Sequence, residues 1–65
     1  MSPTIQAVID DQELREEQKS LLIALLLSAR DDKYPLSITP GDNDALTEWA
    51  QVSGYGEKAA AIVGS

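Results

Sequence analysis

The sequence predicts an all-α protein: a short N-terminal helical segment, a long central helix, an extended link and a C-terminal helical hairpin. Two observations carry this. In KSLLIALLLSARDD, Lys19 to Asp32, seven apolar residues run unbroken from Leu21 to Leu27 between charged flanks. Helix-start signals, a cap followed by proline or by an acid, precede the first three apolar stretches.

Ser2-Pro3 reads as an N-cap with proline at the first helical position, and Ile5, Val8 and Ile9 follow at helical spacing. Asp10 stands three residues before Glu13, the spacing of a capping box, with Ile9 and Leu14 at the positions of a hydrophobic staple. The sequence therefore predicts a bend near Ile9-Asp10 and a helix restarting at Asp11, with one unbroken helix from Pro3 as the alternative. Glu13, Glu16 and Glu17 suit the positive start of that helix and Arg30 its negative end. Asp31, Asp32 and Pro35 end it.

At about 100° per residue, Leu14, Leu21, Leu22, Leu25, Leu26 and Ala29 form one broad apolar face. Ile23 and Leu27 fall outside it, four residues apart, as a second patch. Two apolar faces need two coverings. A chain of 65 residues has little left to supply the second, and without cysteine it has no disulfide staple. The expectation is a homodimer through the central helices, with Leu22, Ile23, Leu26, Leu27 and Trp49 at the interface.

Tyr34 to Thr39 alternate apolar with small or polar residues, so an edge strand or a link laying Leu36 and Ile38 on the helix is expected. Thr39-Pro40 repeats the cap-then-proline start, with Asp42 and Asp44 in the next turn. Leu46, Trp49, Ala50 and Ser53 make a narrow face, and Gly54 is a natural stop. Glu57 to Val63 forms a last alanine-rich helix closed by Gly64, whose small side chains permit close approach. The chain is thus read as one small domain: residues 1–33 hold the N-terminal helix or bent helix pair, 34–39 the link and 40–65 the hairpin.

Composition narrows function by exclusion. No histidine or cysteine is present, which removes the commonest general base, the commonest metal ligand and thiol chemistry. Ser20, Ser28, Ser37, Ser53 and Thr39 have no base to activate them, so no enzyme is expected. The net charge of −6 disfavours nucleic acid and suits a basic protein partner. The apolar run falls far short of the about 20 residues of a membrane span, and the N-terminus lacks a basic leader, so a cytoplasmic protein is expected. Asp42, Asn43, Asp44 and Glu48 hint at Ca²⁺, but the glycine precedes the acids and the spacing is too short for an EF-hand. Asp10, Asp11, Glu13, Glu16 and Glu17 read as a solvated helix start, so no metal or cofactor is expected.

The segment ALTEWAQVSGYGEKAAAIV resembles the helix-turn-helix motif. Ala50 and Gly54 match its small residue and its turn glycine, and Trp49, Tyr55, Ala60 and Val63 its apolar positions. Ser53 stands where an apolar residue is usual, and the would-be recognition helix carries no Arg, Asn or Gln for base edges. A plain helical hairpin is the competing expectation. The leading functional expectation is a small acidic adaptor or regulator. The alternative is an acidic nucleic-acid mimic that occupies a basic groove.

Overall fold

The computed structural model describes residues 4–33, 35–39 and 41–64. Four helices follow in order: α1 (Ile5–Asp10), α2 (Glu16–Arg30), α3 (Asn43–Ser53) and α4 (Tyr55–Val63). Among the described residues there is no strand.

α1 begins at Thr4, whose Oγ1 accepts the Ala7 amide at 3.1 Å. The cap expected at Ser2-Pro3 lies outside the described residues. The bend is present, but the helix beyond it starts five residues later than expected. Asp10 caps nothing. Asp11 ends α1 and turns its carboxylate onto the Glu13 amide at 2.9 Å, a local turn that competes with helix. α2 then starts after Arg15, whose amide donates to Gln18 Oε1 at 3.3 Å.

That irregular link reverses the chain. Lys19 Nζ donates to the Ile9 carbonyl at 2.8 Å, so the end of α1 meets the start of α2. Thr4 and Ile5 share a groove with Leu26, Ala29 and Arg30, so the start of α1 meets the end of α2. α1 therefore folds back antiparallel along α2. This corrects the expectation for Ile23. That residue is fully buried within the single chain, and Leu27 is half-buried against the core. Ile23 lies two residues from both Leu21 and Leu25, roughly 160° round the helix from them. α1 supplies the covering on that side, between Lys19 and Leu26, and Val8 is its buried residue.

α3 and α4 cover the opposite side. Leu21, Ala24 and Leu25 of α2 meet Leu46 and Ala50 of α3 and Tyr55 and Ala59 of α4 in one core. Ala29, expected on the broad face, is exposed. α4 makes its most extensive contact with α2. Its small side chains allow this, since Ala59 is fully buried.

α2 ends in a Schellman motif: the Lys33 amide donates to the Ser28 carbonyl at 2.9 Å and the Asp32 amide to Ala29 at 3.3 Å. Asp32 takes the left-handed conformation, φ 56°, usually left to glycine. Ser28, fully buried, donates its hydroxyl to the Lys33 carbonyl and ties the exit down.

The expected extended link is a turn. The Ile38 amide donates to the Pro35 carbonyl at 3.1 Å. The turn breaks the alternation, so Ile38 packs on the core while Leu36 stands 91% exposed. Tyr34 and Pro40 lie outside the described residues. A second turn, Asp42 amide to Thr39 carbonyl at 3.0 Å, moves the start of α3 to Asn43. Asp42 is the cap there, accepting the Ala45 amide at 3.1 Å. Gly54, φ 82°, is the whole corner between α3 and α4.

Candidate functional site

The five residues expected at an interface do not form one surface. Ile23 is enclosed. Leu22 opens into a notch with Leu14, Asn43 and Leu46, toward the start of α3. Leu26 opens into the groove at the start of α1. Leu27 and Trp49 are half-buried.

Trp49 has a strongly exposed apolar neighbour on its own helix. Ala45, Trp49 and Val52 recur at four and three residues, so they line one side of α3. Val52 is 83% exposed. The other face of Trp49 is fixed from within. Its ring stacks on Tyr55 with centroids 5.6 Å apart and planes at 22°. Tyr55 is buried, carries Lys58 Nζ 5.5 Å from its ring centroid, and donates its hydroxyl to Asp31 Oδ2 at 2.7 Å. That hydrogen bond to a carboxylate, then burial, then the Asp31 charge raise the phenol pKa above its ordinary value of 10.0. Trp49 thus has one ring face packed on a buried, hydrogen-bonded tyrosine.

A second surface lies where α2, α3 and α4 meet. It is a cleft of about 470 Å³. Leu21, Ala50, Gly56 and Ala60 give it apolar walls. A Cβ on Gly56 would stand 3.3 Å from the Ala50 carbonyl oxygen, so the missing side chain lets α4 close on α3. Glu17 and Glu57, both exposed, line the cleft, with Thr47 and Gln51 on its α3 side. Sequence reasoning did not assemble this cleft. Its signal was the small residues at 50, 56, 59 and 60, which permit a shallow crossing but do not say of what.

The other candidates resolve into local structure. Asp42 caps α3 and Asp44 sits in its first turn. Asp10 accepts Gln6 Nε2 at 3.0 Å and Asp11 the Glu13 amide. Among the described residues, no group of three or more carboxylates is placed to hold a metal ion, and no helix is long and apolar enough to cross a membrane. Ser53, at the motif position where an apolar residue is usual, accepts the Tyr55 amide at 3.4 Å and donates to the Ala50 carbonyl at 3.3 Å. It serves the corner. The exposed residues of α4 are Glu57, Lys58, Ala60 and Ala61, a poor set for reading base edges.

No family model matches the chain, and neither a curated protein nor a solved structure matches it at a significant level.

Proposed function

We propose that this protein is a non-enzymatic interaction module, a small acidic adaptor or regulator that works as a homodimer. The observation that carries the reading is the strip on α3: Val52, 83% exposed, beside a Trp49 held by Tyr55. A half-covered tryptophan stacked on a buried ring, next to an open aliphatic side chain, is the composition of a binding hot spot. With Ile23 enclosed, this strip replaces the central helix as the seam. A two-fold axis past α3 would set each Trp49–Val52 pair against its copy.

Light scattering over a dilution series tests it. The wild type should show twice the mass of the chain at high concentration. Val52→Glu should show a single chain with unchanged helicity, because Val52 contributes little to the core. A wild type of single-chain mass throughout, or a Val52→Glu variant of unaltered mass, contradicts the reading.

A second reading, the acidic mimic, draws on a different observation: all eleven carboxylates are exposed. Asn43, beside Asp42 and Asp44, shares a depression with Glu17, so the starts of α2 and α3 lie together, with Arg15 the one cation lining it. The mark of that reading is a partner lost steeply as salt rises.

A further inference from the structure

We infer that the cleft between α2, α3 and α4 receives one face of a basic amphipathic helix from another protein, seating an apolar side chain between flanking lysines or arginines. The inference deepens the interaction reading and rests on it, but on a different surface from the α3 strip.

Three features select this occupant. First, Leu21, Ala50, Gly56 and Ala60 offer apolar surface recessed between helices, in a cleft of about 470 Å³. That volume is larger than one side chain needs and leaves room for an apolar residue together with part of the helix that carries it. Second, the charged residues lining the cleft are Glu17 and Glu57, one on α2 and one on α4. A bound helix would lie between two carboxylates, so cationic residues flanking its anchor meet complementary charge, and their long stems cover the apolar edge. Third, the described residues present no sheet edge to which an extended peptide could add. Strand addition is therefore closed to a protein segment, and a cleft walled by three helices suits the ridge of a fourth helix.

A second copy of the chain fits this cleft poorly. The chain has five basic residues against eleven acids. Lys19 is spent on the Ile9 carbonyl and Lys58 stands over the Tyr55 ring. Among the described residues no helix offers an apolar residue between two free cations, so a copy would bring mainly more acid to the rim.

The test is fluorescence anisotropy with a labelled helical peptide bearing leucines at i and i+4 and lysines on both flanks. The wild type should bind it. Two peptide controls, one with serine for leucine and one with glutamate for lysine, should bind about tenfold or more weakly. Glu17→Gln with Glu57→Gln should weaken the lysine peptide about five- to tenfold. Ala60→Phe, at an exposed position, should block the cleft with helicity retained. Glu48→Gln, a carboxylate on α3 that does not line the cleft, should stay within about twofold of the wild type, well under the about 1.4 kcal/mol that a tenfold change represents.

Three results overturn the inference: no binding by the wild type at low salt, equal binding of the serine peptide, or a Glu48→Gln loss as large as that of the double variant. Peptide binding and dimerisation fail separately. A dimer that ignores the peptide sinks the cleft and leaves the α3 reading, and a peptide-binding monomer does the reverse.

Discussion

Among the described residues, two sit in the left-handed region of backbone space, and they make opposite cases. Gly54, φ 82°, is the entire corner between α3 and α4, and a Cβ there would meet nothing within 4 Å. The obstacle to substitution is therefore backbone strain and not space. Gly54→Ala should destabilise the fold by about 1–2 kcal/mol in urea unfolding, the cost of forcing an L-residue into that conformation. Asp32, φ 56°, already bears such strain, and its charge stands at the negative end of α2. Asp32→Gly should stabilise by about 0.5–1 kcal/mol on the same assay. If both substitutions move stability in the same direction, the two helix exits are misassigned.

At the scale of elements, the hydroxyl of Tyr55 fastens the start of α4 to Asp31 at the end of α2. Because the folded state raises the phenol pKa, the folded chain holds that proton more tightly than the unfolded one. The contribution is therefore complete below the ordinary tyrosine pKa and is lost as pH rises through the raised folded value. Alkaline titration followed by phenolate absorbance should show one tyrosine ionising late, together with loss of helicity. Tyr55→Phe should remove that late phase. A Tyr55 that ionises at its ordinary pH with the fold intact would break the link between α4 and α2.

The same scale shows what the residues disclose. The helices, their order, the stop at Gly54 and the finish at Arg30 were legible, because caps, glycine and the macrodipole act within one or two turns. The start of α2 was not. Asp10 and Glu13 satisfy a capping box on paper, yet Asp11 takes the local turn, and the choice turns on Lys19 reaching Ile9 from ten residues away. The start of α3 moved for a similar reason, since Asp42 competes with Thr39 as the cap. Of the candidate sites, Trp49 drew notice as the single tryptophan. The cleft was not, because its walls come from three helices whose mutual placement no local pattern encodes.

For the whole molecule, the question raised by the run Leu21 to Leu27 has an internal answer. α2 is the axis, with α1 on one side and the α3–α4 hairpin on the other. The radius of gyration, 10.7 Å, equals the about 11 Å expected of a compact folded chain of this length. Six residues of α1 achieve this because they lie antiparallel along the helix, covering Ile23 instead of extending the chain past it. The bend near Ile9-Asp10 was legible, but not that α1 folds back along α2, so the remaining residues looked too few to cover that face. Any self-association must then use surface left over, which is why the α3 strip and not α2 is its proposed seat.

The most direct test of this enclosure is the stability cost of Ile23→Ala, measured by urea unfolding in the Val52→Glu background at two protein concentrations roughly a hundredfold apart. An isoleucine enclosed by its own chain should cost about 2–5 kcal/mol, by the same amount at both concentrations. A cost near zero, or one that appears only at the higher concentration, would mean that α1 does not cover α2.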